Sequence, residues 1–139
     1  MLSDKVRAFV TENHRGVMTT FRRSGAAQMS IVSCGPYGDG VAFATGADRA
    51  KLANLKRDPR CTLLVSQPDW RGYVVLEGRA MVMSLDNTGA EELRLALHDL
   101  YRATSGREHP NWDEYDQVTR EQGRSAIIVV PEHVYGTGA

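Results

Sequence analysis

The stretch RAKLANLKRDPR, residues 49–60, lies between two segments with the composition of β-strands, 41–45 and 61–65. Leu52 and Leu55 are three positions apart, so a helix through this stretch has an apolar side that can pack on a sheet. The Asp-Pro pair near its end stops the helix, because the residue before a proline disfavours the helical conformation. The pattern therefore predicts a short basic helix that connects two strands.

The start of this helix has the features of an anion site. Gly46 and Ala47 interrupt the preceding strand, and Asp48 is predicted to cap the helix. The first turn of a helix presents backbone N–H groups without partners, which attract anions, and Arg49 and Lys51 add two positive charges there. We predict a bound phosphate at this end. The alternative is a solvated basic helix without a ligand, because the stretch is not a glycine-rich phosphate loop.

Length and composition indicate one domain, residues 1–139. The chain has 139 residues, of which 42% are hydrophobic, enough for one core. Seventeen Lys and Arg balance seventeen Asp and Glu, so no nucleic-acid partner is expected. No apolar run approaches the roughly 20 residues that span a bilayer, and no apolar signal core begins the chain, so we expect a cytoplasmic protein and no membrane partner. Cys34 and Cys61 are isolated, which indicates neither a zinc site nor a redox dithiol.

The order of predicted elements favours a mainly β fold with peripheral helices (α+β), a small antiparallel barrel. Helices are predicted after a Ser3 cap, over 88–104 and over 112–118. Gly78 lies inside a predicted strand and indicates a bulge. Residues 35–40 have the composition of a turn. The predicted strands are 17–21 and 28–33 as a hairpin, 41–45, 61–66, 72–83, and a buried strand 126–130 that ends at Pro131.

No side chain is predicted to be catalytic or to bind a metal. The sequence contains no nucleophile elbow, zinc-binding HExxH, Walker or Rossmann motif. Its four histidines have no ligand spacing, so each is expected to be hydrogen-bonded or on the surface. Trp112 and Tyr115 are expected to be packing residues. Asp113, Glu114 and Asp116 are expected to form a solvated acidic face.

Three motifs in a fixed order span nearly the whole chain: R-x-K-x-x-N-L-x-R-D-P-R at 49–60, W-x-x-Y-V-V-L-E-G-R-A at 70–80 and P-E-H-V-Y-G at 131–136. In them the sequence resembles the pyridoxamine 5'-phosphate oxidase-like superfamily of FMN-binding split-barrel flavoproteins. Within it, the chain is most similar to the small actinobacterial oxidoreductases that depend on the deazaflavin coenzyme F-420. The resemblance implies an antiparallel split β-barrel and a homodimer with the cofactor site at the subunit interface.

The resemblance also implies which residues contact the cofactor. One wall of the ring site would come from Gln28, Met29, Ser30, Ile31 and Val32. The phosphate end would come from Thr45, Gly46, Ala47, Arg49 and Lys51. Asn54 would order the basic helix, and Trp70 would come from the other subunit. Trp70 has a structural alternative, covering a barrel end or a dimer seam.

The function that the resemblance implies is hydride transfer between reduced coenzyme F-420 and an unsaturated organic acceptor. Such a cofactor carries the chemistry itself, so the protein needs only to hold and shield it. One alternative is an oxidoreductase of the same fold that binds FMN, whose phosphate could use Arg49 and Lys51 as well. Another is a non-catalytic carrier of the deazaflavin. Ile31 stands where related deazaflavin proteins often have Asn, so a side-chain hydrogen bond to the ring is not expected there.

Overall fold

The computed structural model describes residues 2–139, which form seven strands and four helices. In chain order they are α1 (Asp4–Glu12), β1 (Arg15–Phe21), β2 (Ala27–Ser33), β3 (Gly35–Tyr37), β4 (Gly40–Thr45), α2 (Ala50–Arg57), β5 (Arg60–Ser66), β6 (Tyr73–Met83), α3 (Ala90–Ser105), α4 (Trp112–Glu121) and β7 (Ser125–Tyr135). The predicted fold class is confirmed: the strands form one antiparallel sheet that curls into a split barrel, with helices around it.

The sheet has the strand order β2-β1-β5-β6-β7-β4-β3. The predicted hairpin β1–β2 is present, with Val17 opposite Ile31. The last strand, β7, pairs with β6, the strand before it in the chain, and also with β4, where Ser125 lies opposite Thr45. The pairing of β7 with β4 joins the end of the chain to a strand much earlier in the sequence.

Two apolar clusters hold these layers together. The larger fills the barrel, where Phe43, Leu63 and Leu76 are fully buried, and both α1 and α2 contribute leucine or valine side chains to it. The predicted Ser3 cap is present: its hydroxyl accepts a hydrogen bond from the Val6 N–H at 3.2 Å. The smaller cluster lies between α3 and α4 and the face formed by β4 and β7. Helices α3 and α4 thus form a second layer on one side of the barrel.

Two predicted boundaries were wrong. The segment 35–40 is not only a turn, since Gly35–Tyr37 forms the edge strand β3, paired with β4. Strand β7 does not end at Pro131 but continues to Tyr135. Pro131 lies opposite Gly78, where the register of β6 and β7 shifts in a β-bulge, and a proline is tolerated at a bulge because its missing N–H breaks no regular ladder bond. The bulge predicted at Gly78 is confirmed.

The predicted acidic face of α4 was wrong for one residue. Asp113 and Glu114 are exposed, but Asp116 is buried and accepts hydrogen bonds from His98 Nε2 at 2.5 Å and Arg94 Nη1 at 3.3 Å. The His98 ring also stacks on Trp112 with centroids 4.0 Å apart, which confirms Trp112 as a packing residue. Asp116 follows Trp112 by four residues, so the two lie on the same face of α4. Asp116 is buried because this face packs against α3, where Arg94 and His98 contact its carboxylate.

We expect Asp116→Asn to lower the free energy of unfolding by about 2 kcal/mol at neutral pH, because it leaves buried donors of α3 without a charged acceptor. Burial favours a higher pKa for Asp116, but hydrogen bonds and charges of His98 and Arg94 outweigh burial and hold that pKa below its usual value. The carboxylate therefore stabilises the fold above its unfolded pKa of about 3.9, and this is lost as the pH falls through the folded pKa. Urea unfolding across this range should show the wild type and variant converge in acid.

Asp113→Asn is the matched control, since Asp113 is on the first turn of the same helix and is exposed. It should lower the free energy of unfolding by less than about 1 kcal/mol, because it removes only an exposed negative charge near the start of the helix. Equal effects of the two substitutions would contradict a stabilising role for the Asp116 contacts.

Candidate functional site

The candidate site is a cleft of about 920 Å³ at the end of β4, called the β4 cleft below. Because Thr45 pairs with Ser125, the residues that follow β4 lie beside those that precede β7. The Ala47 N–H donates to the Gln122 carbonyl at 3.1 Å and links these two segments. Seven predicted site residues line the cleft: Ser30, Ile31, Thr45, Gly46, Ala47, Arg49 and Lys51.

Helix α2 opens onto this cleft without a side-chain cap. The cap position is Arg49, not Asp48 as predicted, and no side chain accepts a hydrogen bond from the first turn. Asp48 lies one residue too early to cap this helix; it is exposed, with Oδ1 3.8 Å from Arg49 Nε. The N–H groups that begin α2 consequently keep the capacity to bind an anion.

The charges at this helix start lack strong partners. The pair between Asp48 and Arg49 is long and solvent-exposed, so it contributes little. Lys51 forms no ion pair within residues 2–139. Burial and the neighbouring charge of Arg49 lower the pKa of Lys51. A bound anion would favour the charged form of Lys51 and so raise its pKa.

Thr45 supplies a polar atom that has no partner. Its side chain is 4% exposed, and its Oγ1 has no hydrogen-bond partner. A buried hydroxyl without a partner costs about 1–3 kcal/mol, and such groups are rare in folded proteins. Thr45, the uncapped start of α2 and the two cations line one cleft. Together these groups fit a phosphate.

Five predicted site residues do not line the β4 cleft. The Asn54 amide donates to Gln28 Oε1 at 2.8 Å and to Thr20 Oγ1 at 3.1 Å, so it joins α2 to β1 and β2. Val32 is in the barrel core. Met29 and Trp70 line a different groove of about 350 Å³ on the outer face of the sheet, called the outer groove below.

Sequence reasoning missed four residues of the cleft: Ala44 on β4, and Glu121, Gln122 and Arg124, which surround the turn between α4 and β7. Asp48, predicted only as a cap, lines the cleft as well. Gly123 in this turn has a φ of +59°, and a Cβ on it would lie 2.9 Å from that of Ala47. Glycine therefore lets the two segments approach. The apolar run 126–130 did predict the strand that follows. Only its pairing with β4 brings Arg124 to the cleft.

Within residues 2–139, no three His, Cys, Asp or Glu side chains are grouped closely enough to hold a metal ion. The same residues contain no helix of the length and apolar character required to cross a membrane.

The fold and the cleft define a split-barrel protein whose site can hold a phosphate-bearing ligand. A family model described as "Pyridoxamine 5'-phosphate oxidase" matches residues 2–138. The chain belongs to this family.

Several solved structures have a similar fold. A conserved hypothetical protein, Rv2991 from Mycobacterium tuberculosis, is 19% identical with a TM-score of 0.76, over 99% of this chain and 85% of that one. A structure named F-420 reductase is 21% identical with a TM-score of 0.64, over 93% and 94% of the two chains. General Stress Protein 26 from Bacillus anthracis is 13% identical with a TM-score of 0.62, over 94% and 90%. At these identities the similarity establishes the fold.

The unpartnered hydroxyl of Thr45 generates a prediction about stability. Thr45→Val removes an unpaired polar atom and keeps the branched shape, so the free energy of unfolding should stay the same or rise by up to about 1 kcal/mol. Thr20→Val is the control: Thr20 is also buried, but its hydroxyl accepts the Asn54 bond, so that variant should lose about 1 kcal/mol. Chemical denaturation measures both. A loss at Thr45 as large as that at Thr20 would show that Oγ1 has a partner in the free protein.

Proposed function

We propose that this protein is an oxidoreductase that uses coenzyme F-420 to transfer hydride between the reduced coenzyme and an unsaturated organic acceptor. The observation that carries the proposal is the β4 cleft, which is lined by Thr45 with its unpartnered hydroxyl, by the uncapped start of α2 at Arg49, and by Lys51. The three sequence motifs and the fold shared with a structure named F-420 reductase favour the deazaflavin.

In this proposal the chain's residues bind and orient, while the deazaflavin supplies the hydride chemistry when bound. The N–H groups at the start of α2, together with Arg49 and Lys51, hold the phosphate. Ser30 and Ile31 on β2 form the wall beside the ring. The Ile31 side chain offers apolar contact and no hydrogen bond. The position of the ring along this wall is therefore set by the shape of the wall and by the binding of the phosphate.

The same cleft can serve FMN, which is the second candidate, because its phosphate requires the same groups. A third candidate is a carrier that binds the deazaflavin without turnover. Single-turnover measurements with reduced coenzyme and a panel of unsaturated acceptors distinguish a carrier from an oxidoreductase. A carrier would bind the coenzyme tightly, but no acceptor in the panel would oxidise the bound coenzyme.

We further propose a homodimer formed through the outer face of β2, β1, β5 and β6. No helix among residues 2–139 covers this face, and Met29, Ile31 and Trp70 on or beside it are 64%, 71% and 63% exposed. Large apolar patches of this kind mark interaction surfaces. Ile31 also lines the β4 cleft, so the exposed face continues into the candidate site. A second copy on this face would place its own residues at that site.

Trp70 gains a role in this dimer. Its φ of +66° is unusual for a bulky residue, and it borders the outer groove rather than its own chain's β4 cleft. A strained, exposed aromatic residue is a candidate for a functional contact. We propose that it contacts the cofactor bound by the partner subunit.

The cofactor assignment is tested by titrating the cofactor-free protein with coenzyme F-420 and, in parallel, with FMN. Changing both Arg49 and Lys51 to Ala should weaken the binding free energy of the preferred ligand by about 1.5–3 kcal/mol, the range for charged hydrogen bonds. Affinity should also fall as the pH rises through the lowered pKa of Lys51, because its charge is then lost.

The matched control changes Arg22 and Arg23 to Ala, an equal loss of charge in the exposed β1–β2 turn. It should leave affinity nearly unchanged. Equal weakening by both double variants would reject the phosphate site. Preference for FMN would select the second candidate, and binding of neither ligand would reject the oxidoreductase proposal.

The dimer is tested by analytical ultracentrifugation. Leu64 lines the outer groove, and Leu64→Glu should dissociate the dimer by burying an unpaired charge. Leu95→Glu, at an exposed position of α3, should leave the mass unchanged. A monomeric wild type at micromolar concentration would contradict the proposed interface.

A further inference from the structure

A second cavity, of about 370 Å³, adjoins the β4 cleft and is called the aromatic cavity below. Ala44 and Arg124 line both spaces, so the two lie side by side. The sheet contributes Ser33 and Ala44, and helices α3 and α4 cover the other side. Its size lies within the range of small-molecule sites, about 300–1,000 Å³.

Aromatic side chains in fixed positions line this cavity. The Tyr101 ring meets His109 edge-on at 4.9 Å and Tyr115 at 5.4 Å. The Tyr115 hydroxyl donates to the Leu97 carbonyl at 3.0 Å. The Asn111 N–H donates to His109 Nδ1 at 2.9 Å, so the neutral imidazole carries its proton on Nε2. Rings held in this way offer aromatic contact without further ordering.

Charge is distributed unevenly along the cavity. Arg124 lies where the cavity meets the β4 cleft, and its Nε donates to the neutral Gln122 Oε1 at 2.7 Å. No carboxylate within residues 2–139 forms an ion pair with Arg124. Glu114 lines the cavity near the opposite end of α4, about 10 Å along the helix from Glu121. An anionic group is thus favoured at the Arg124 end only.

We propose that the aromatic cavity binds a small aromatic carboxylate, with the carboxylate on Arg124 and the ring against Tyr101 and His109. A guanidinium without an acidic partner binds a carboxylate with two parallel hydrogen bonds. This orientation keeps the negative charge away from Glu114 and directs it toward the β4 cleft. That the bound carboxylate is the acceptor of the reaction rests on the proposed function.

The test uses cinnamate and its uncharged analogue cinnamamide as probes, titrated calorimetrically into cofactor-free protein. Cinnamate should bind at least about tenfold more tightly than cinnamamide, and Arg124→Gln should remove that difference, because one charged hydrogen-bond pair accounts for it. Arg120→Gln, an equal loss of charge at an exposed site of α4, should keep it. Equal affinities for the two probes, equal effects of the two variants, or no binding at millimolar cinnamate would overturn the proposal.

A second variant separates this cavity from the β4 cleft. Val118 lines the aromatic cavity and does not line the β4 cleft. Val118→Trp should therefore fill the aromatic cavity, abolish cinnamate binding and leave the affinity for coenzyme F-420 unchanged. Cinnamate binding that survives in Val118→Trp would place the ligand elsewhere and overturn the proposal. Because each ligand is titrated separately, a failure of coenzyme binding with intact cinnamate binding would reject the proposed function and keep this site.

Discussion

The antiparallel pairing of β4 with β7 is the constraint on which the rest of the structure depends. It inserts the last strand between β6 and β4, so that a sheet formed from local hairpins becomes a curled split barrel. The same pairing places Thr45 opposite Ser125, and so it brings the turn after α4 against the start of α2. Without it, neither the barrel nor the β4 cleft would form.

Buried polar groups have hydrogen-bond partners between α3 and α4, but one of them lacks a partner at the β4 cleft. Between α3 and α4, buried Asp116 is fully engaged by His98 and Arg94, so this region is stabilised by satisfied contacts. Beside the β4 cleft, Thr45 Oγ1 has no partner, and burial together with the charge of Arg49 lowers the pKa of Lys51. Unpaired buried groups are rare in folded proteins, and functional sites are among the places where they occur. This contrast is the physical argument for the proposal that the cleft binds a ligand.

Much of the fold was predictable because its signals are local. The basic helix, the β1–β2 hairpin, the bulge at Gly78 and the two long helices follow from periodicity and from Gly and Pro positions. The errors arose where a distant partner overrides a local signal. Gly35–Tyr37 forms a strand because it pairs with the free edge of β4. Pro131 lies inside a strand because it is opposite the bulge of β6, where no regular ladder bond is lost.

By itself, the sequence determined the positions of the four helices and of every strand except β3 and the end of β7. It also determined the concentration of Arg49 and Lys51 at the start of one short helix, since all these features depend on neighbours within a few residues. The tertiary structure alone decided that Arg124 joins that cleft, that Asp116 is buried and that Met29 and Trp70 lie on the outer face. These outcomes depend on contacts between residues far apart in the chain, and the sheet pairing and helix packing that create them leave no periodic mark on the local sequence.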